Sequence, residues 1–171
     1  MSGASRPSSN EGSSKPRGSL LLDDQLCFAL YAASRAVTQL YRPLLDELGL
    51  TYPQYLVMLV LWERGDVTVG DLAGALQLDY GTLSPLLKRL AGSGLLERRR
   101  HADDERVVHI TLTEAGQELK SSASRVCQVI VRAYGLDARQ FDELASTLRG
   151  LTDSVTGAGR SNAADGDCGS R

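Results

Sequence analysis

Between Thr68 and Leu112 the hydrophobic period of this chain changes once, from that of a helix to that of a strand. This change restricts the fold more than any other feature. Val69, Leu72, Ala73 and Leu76 recur at helical spacing, and Thr68 with Asp71 three residues on is a capping-box pattern that starts a helix there. Leu78 and Asp79 interrupt the pattern. Asp79 suits the N-cap of a second helix from about Tyr80 to Ala91, whose apolar stripe is Leu83, Leu86, Leu87 and Leu90. Pro85 costs that helix one hydrogen bond but lies close enough to its first turn to be tolerated. After Gly92 and Gly94 the period becomes two: Leu95 and Leu96 lead into Glu97-Arg98-Arg99-Arg100, and Val108, Ile110 and Leu112 alternate with Val107, His109 and Thr111. This predicts a two-stranded hairpin with one buried face and a tip at His101–Arg106. The expected fold is mainly α with a small β-hairpin wing, a winged helix-turn-helix.

Such a module places one helix in a DNA groove and a loop beside it. Tyr80, Gly81, Thr82 and Ser84 fall largely outside the apolar stripe and are the candidates for base edges. Lys88, Arg89 and Arg98 are candidates for phosphates, and Arg106, beside Asp104 at the wing tip, for the minor groove. Charge runs are usually solvated faces, and the net charge of −2 gives no hint of nucleic acid. The arginines favour DNA through their position directly after a helix-turn-helix.

The remaining segments flank this module. Residues 1–20 are Ser/Gly/Pro-rich and predict a disordered tail, with a second tail at 156–171, leaving one domain over 21–155. From Leu22 to Leu48 the pattern is helical. One apolar stripe includes Leu26, Leu30, Val37, Leu40 and Leu44, and beside it runs a row of Cys27, Tyr31, Ser34, Thr38 and Tyr41. Pro43 predicts a kink or restart near Arg42, and Gly49 a stop. Thr51 to Gln54 reads as a capping box opening a short, almost wholly apolar and therefore buried helix through Trp62. Thr113 caps a long helix to about Tyr134, and Asp137 with Gln140 caps a last one to about Val155, with Phe141, Leu144, Leu148 and Leu151 in a row. A winged-helix lobe leaves these terminal helices nothing apolar to cover. They are therefore expected to pair with the first helix of a second subunit in a twofold homodimer.

The composition is that of an ordinary globular chain: 171 residues, 42% hydrophobic and 23% charged, enough for one domain with a core. The first residues are not apolar, which argues against a secretory leader, and the longest apolar run, Tyr55 to Trp62, is too short to span a bilayer. A cytoplasmic protein is expected, with its three irregularly spaced cysteines as free thiols. The two histidines and the cysteines have no zinc spacing, Gly70 and Gly74 lie in a helix rather than a phosphate loop, and no Ser/His/Asp constellation stands out. No metal, cofactor or enzymatic activity is expected.

The segment GTLSPLLKRLAGSGLLERRRHADDERVVHITLTEAG resembles the MarR family of winged-helix regulators, whose wing carries a D-x-R pattern before an alternating strand. Here these are Asp104-Glu105-Arg106 and Val107 to Leu112. Upstream, DDQLCFALYAASRAVTQLYRPLLDELGLTYPQYLVMLVLWE is similar to the organic hydroperoxide sensing branch of that family, most specifically at QLCFALY and LTYPQYL. The resemblance runs from about Leu21 to Val155.

Cys27 lies about one turn into the first expected helix. A helix N-terminus favours an anion such as a thiolate, while Asp23 and Asp24 oppose one. From spacing alone, a small packing residue is at least an equal reading. The resemblance implies instead that Cys27 is a peroxide-reactive thiol and that two tyrosines, mapping to Tyr41 and Tyr52, bind its thiolate; Tyr31 in the same row is a further candidate. Cys27 and Tyr41 are roughly 21 Å apart on a straight helix and cannot touch within one chain. They can meet if the first helices of two subunits run antiparallel. The implied mechanism is a reduced dimer that represses on a palindromic operator and releases it when an organic hydroperoxide oxidises Cys27. The sulfenic acid would then condense with Cys127, which falls a few residues upstream of the family's usual place, with Cys168 in the tail, or with a small thiol. The alternatives are a repressor relieved by a small aromatic ligand, with Cys27 structural, and, from another class, a thiol peroxidase cycling with a reductant.

Overall fold

A computed structural model describes residues 19–100 and 107–165. The expected wing tip with Asp104 and Arg106, the tail residues 1–18, and residues 166–171 with Cys168 lie outside the described residues. The chain divides into two compact units, Met1–Tyr52 and Pro53–Arg171.

In the first unit a 3-10 turn at Leu22–Asp24 precedes helix α1, Leu26–Asp46. Gln25, with extended backbone (φ −86°, ψ 113°), separates the two, so the helix starts later than its apolar pattern, and Cys27 is its second residue rather than one turn in. Pro43 does not restart the helix, which continues to Asp46. Pro43 lies within the last turn, and the lost bond falls on exposed Gln39, whose carbonyl water can satisfy. Gly49, at φ +67°, turns the chain so that the N–H of Leu50 donates back to the carbonyl of Leu45 at 3.0 Å. Leu45 and Leu50 are buried, whereas Leu26, Phe28, Tyr31 and Leu40 along α1 are exposed.

From Pro53 on, the second unit is built on α2 (Tyr52–Arg64), whose Tyr55, Val57, Met58, Leu61 and Trp62 are buried, as its nearly continuous apolar sequence requires. Then come β1 (Val67–Thr68), α3 (Val69–Leu76), α4 (Tyr80–Gly92), β2 (Leu96–Arg100) and β3 (Val108–Leu112). The hairpin is part of a three-stranded antiparallel sheet in the order β1-β3-β2, with Val67 opposite Ile110 and Arg98 opposite Ile110 on the other side. The extra strand, only two residues long, has no period to read. Leu72, Leu83, Leu87, Leu90 and Ile110 close the core between the helix pair and the sheet.

Helix α5 (Glu114–Ala133) is locked to the wing at its start. The Thr113 hydroxyl donates to the carbonyl of Gly94 at 2.6 Å and accepts the Gly116 N–H at 3.1 Å, and the Trp62 indole N–H donates to the Gly116 carbonyl at 2.9 Å. Helix α6 runs from Ala138 to Asp165, past the expected end at Val155. Its end, with Gly157, Gly159, Ser161 and Asn162, is a poor helix former, but each residue added to a standing helix gains a hydrogen bond without a new nucleus. Phe141, Leu144 and Leu148 on α6 are exposed. Among the described residues, no helix is long and apolar enough to cross a membrane.

Candidate nucleic-acid interface and thiol sites

Two caps aim the helix pair. At α3 the Thr68 hydroxyl accepts the Asp71 N–H at 3.1 Å, while the hydroxyl and N–H of Thr68 donate to the Asp71 carboxylate at 2.7 and 3.1 Å. The hydroxyl donation and then the N–H hold the Asp71 carboxyl below the usual carboxylate range. At α4 the Thr82 N–H donates to Asp79 Oδ1 and the Thr82 hydroxyl to Asp79 Oδ2, each at 2.8 Å. These two bonds, the N–H first, likewise hold Asp79 low. Between the helices Gln77 takes a left-handed backbone (φ 53°), which lets the Leu78 N–H reach the carbonyl of Ala73 at 3.0 Å.

With Leu83, Leu86, Leu87 and Leu90 buried, the opposite face of α4 is turned outward, and Tyr80, Gly81, Thr82, Ser84, Lys88 and Arg89 are all exposed. A concave surface beside it is lined by Thr68, Gly70, Tyr80, Ser84, Arg98 and Val108, joining the starts of α3 and α4 to the wing strands. Tyr80 lies over Gly70, where an added β-carbon would come 3.3 Å from the phenol oxygen. Arg98 is exposed on β2, whereas Arg99 is paired with Glu97 at 2.8 Å. His109 Nδ1 lies 2.8 Å from Asp66 Oδ1, a contact that ties β3 to the turn before β1. The two residues are too distant in sequence for any spacing rule to link them.

The Cys27 thiol is exposed. The row beside it is partly engaged within α1. The Tyr31 hydroxyl accepts from the Arg35 guanidinium at 3.1 Å, and the Thr38 hydroxyl donates to the Ser34 carbonyl at 2.8 Å. The rings of Tyr41 and Tyr52 lie together, centroids 4.9 Å apart and tilted by 57°. Thus the two tyrosines are brought together, and the length of α1 separates them from the Cys27 of the same chain. Cys127, on α5, is also exposed, and its Sγ lies 3.2 Å from the hydroxyl oxygen of Tyr55, a residue only 1% exposed. Leu59, Trp62, Lys120 and Ala123 line the groove beside it. In the sequence Tyr55 reads only as part of an apolar run. The available signal was that a buried phenol must find a polar partner. Among the described residues, no group of three or more His, Cys, Asp or Glu could hold a metal ion.

Residues 39–123 match the family model of the transcriptional regulator SarA/Rot. The chain is 45% identical over 134 residues to the organic hydroperoxide resistance transcriptional regulator of Bacillus subtilis, an alignment covering 78% of this chain and 91% of that protein. Among solved structures it is similar to reduced AbfR bound to DNA, with a TM-score of 0.68 and 36% identity over 80% of this chain and 94% of that one; AbfR is a protein of Staphylococcus epidermidis. It is also similar to disulfide-formed AbfR, with a TM-score of 0.59 and 38% identity over 77% and 92% of the two chains. The order of helices, the capped helix pair, the wing and these similarities give one conclusion: the chain belongs to the MarR/SarA-type family of winged helix-turn-helix transcriptional regulators.

Proposed function

We propose that the chain is a homodimeric repressor that holds a palindromic operator while Cys27 is reduced and releases it when an organic hydroperoxide oxidises that thiol. The observation that carries this reading is the spacing of a thiol and a pair of phenols along α1. An exposed thiol stands at the second position, and a Tyr41–Tyr52 pair stands about four turns on. A second copy running antiparallel would bring each thiol to the other's tyrosine pair and cover exposed apolar residues of α1. The phenols would donate to the thiolate and stabilise it. The thiolate sulfur attacks the outer peroxide oxygen, the S–O bond forms as O–O breaks, and the alkoxide leaves and takes a proton to become the alcohol. Sulfur is oxidised to a sulfenic acid and the peroxide is reduced. A second thiol, from Cys127, Cys168 or a small molecule, then condenses with it and releases water.

The same reading places residues 21–155 in the regulator domain and puts the protein in the cytoplasm with its DNA. Tyr80, Gly81, Thr82 and Ser84 face base edges; Lys88, Arg89 and Arg98 face phosphates; and Asp104 and Arg106, outside the described residues, are assigned to the minor groove. The known regulators among the similar proteins support a DNA partner: reduced AbfR is seen bound to DNA, and AbfR also has a disulfide form. Oxidation need weaken operator binding only about a hundredfold, about 2.7 kcal/mol, to act as a switch.

The test is fluorescence anisotropy of an operator duplex, with reduced protein titrated with an organic hydroperoxide, in wild type and Cys27→Ser. Release at about one peroxide per subunit in wild type alone is expected. Release by both proteins, or by neither, overturns the sensor. Neither releasing leaves a repressor answering a small ligand, and consumption of many peroxides per subunit with added reductant marks a peroxidase.

A further inference from the structure

The cap of α4 fixes the hydrogen-bonding polarity of one residue on the exposed face of that helix. Thr82 has a single hydroxyl proton, and its oxygen lies 2.8 Å from Asp79 Oδ2. A carboxylate only accepts, so this contact has one direction: Thr82 donates and Asp79 receives. The other carboxylate oxygen takes the backbone N–H of the same residue, also at 2.8 Å, so Thr82 is held by two bonds to one side chain. Asp79 is held ionised by those bonds. Thr82 itself is exposed, in the first turn of α4, on the face away from buried Leu83 and Leu87. With its proton engaged, its hydroxyl can offer a DNA base only lone pairs, and beside them the γ-methyl.

In the major groove the donors are the N6 amino group of adenine and the N4 amino group of cytosine, while guanine shows only acceptors at N7 and O6. We propose that Thr82 is a specificity-determining residue that accepts from an amino-bearing base, adenine or cytosine, and discriminates against guanine, and that Asp79 is the positioning residue that sets this polarity. The proposal rests on the reading of α4 as the helix that enters the groove. It does not depend on what Cys27 does.

Its test uses the reduced full-length protein and a half-site selected from a randomised duplex pool. Each position is then replaced by all four base pairs, and binding is measured for wild type, Thr82→Val and Asp79→Asn. Thr82→Val keeps the shape and the methyl but cannot accept. At one position the wild type is expected to favour adenine or cytosine over guanine by about fivefold, and Thr82→Val to lose that preference. Asp79→Asn keeps an equally good N-cap. Its carbonyl accepts the Thr82 N–H and its amide donates to the Thr82 hydroxyl oxygen, freeing the hydroxyl proton to point outward. Guanine should then become tolerated at the same position and no other. A Thr82-dependent preference for guanine in wild type, or a scan identical in wild type and Thr82→Val, overturns the proposal while leaving DNA binding intact. Absence of any base dependence in wild type overturns both the proposal and the DNA-reading assignment of α4. Hydroperoxide insensitivity overturns only the sensor. Melting curves of the two variants separate a loss of fold from a loss of preference.

Discussion

The ring of Tyr41 on α1 lies 4.9 Å, centroid to centroid, from the ring of Tyr52 at the start of α2. The two phenols are thus held as a pair by packing within one chain. If the pair serves the Cys27 thiolate of a second copy, removing either hydroxyl costs a hydrogen bond to a charged atom and leaves the ring contact in place. Tyr41→Phe and Tyr52→Phe should each slow oxidation of Cys27 by an organic hydroperoxide about tenfold, the equivalent of about 1.4 kcal/mol. Reduced protein should keep its operator affinity within about twofold. Stopped-flow thiol oxidation beside anisotropy distinguishes this from damage to the fold, and unchanged oxidation rates would remove the tyrosines from the site.

Gly116 has no room for a side chain. A β-carbon there would lie 2.0 Å from the carbonyl oxygen of Leu95, a backbone atom that leads into β2. Its own carbonyl accepts the Trp62 indole, so the helix cannot back away without breaking that bond. Gly116→Ala should therefore destabilise the protein by about 1–3 kcal/mol, despite the higher helix propensity of alanine. Urea unfolding measures it, and a stabilised variant would mean that α5 can slide on the wing at little cost.

The contrast between Gly116 and Thr113 shows which parts of this fold sequence periodicity carries. Thr113, Thr68 and Asp79 were legible as caps because a cap and the N–H it accepts are two or three residues apart. The stripe of α4 was legible because its four leucines repeat at helical spacing. Gly116 against Leu95, Tyr55 against Cys127 and His109 against Asp66 are contacts between distant segments, which no local period encodes. The late start of α1 belongs to neither class. Gln25 is extended after the charged pair Asp23-Asp24, and its side-chain amide donates to the carbonyls of Ser19 and Leu21, local bonds that a hydrophobic period does not register. On α4 the exposure of Tyr80, Gly81, Thr82 and Ser84 could be read directly from their places outside the stripe. The polarity of Thr82 required the geometry of its cap.

Gln77 occupies the left-handed position that closes α3, at φ 53°, where a β-carbon is strained and glycine is at ease. Its side chain is exposed. Gln77→Gly should raise stability by about 0.5–1 kcal/mol, the relief of strain exceeding the added freedom of the unfolded chain. The urea midpoint should rise with its slope unchanged. A lower midpoint would show that the Gln77 side chain contributes more to the turn than its backbone costs.

Asp71 and Asp79 make the helix pair sensitive to acid. Both carboxyls sit below their ordinary value of 3.8 in the folded protein, through hydrogen bonds from Thr68 and Thr82 respectively. The unfolded chain then binds their protons more readily than the folded one, so their contribution is fully present above the ordinary value and is lost as pH falls through the lowered folded values. Stability should fall with acid more steeply in wild type than in Asp71→Asn/Asp79→Asn, whose caps carry no titrating proton. Thermal melts between pH 6 and pH 2 compare the two, and parallel curves would show that other carboxylates govern the acid limit.

Arg98 and Arg99 stand next to each other on β2 but in different electrostatic settings, and the difference predicts which one meets DNA. Arg99 already faces Glu97 at 2.8 Å, a pair that would have to open before the guanidinium could bind a phosphate. Arg98 lines the concave surface with Tyr80 and Ser84, beside the outward face of α4. A phosphate contact made by Arg98 releases about one counterion, so Arg98→Ala should weaken binding on specific and random duplexes alike and flatten the plot of log affinity against log salt by about one unit. Arg99→Ala should change the slope much less. Measured slopes equal for wild type and Arg98→Ala would take Arg98 off the phosphate backbone. The reverse ranking would mean that the Glu97 pair gives way on binding and that β2 presents its other face to the DNA.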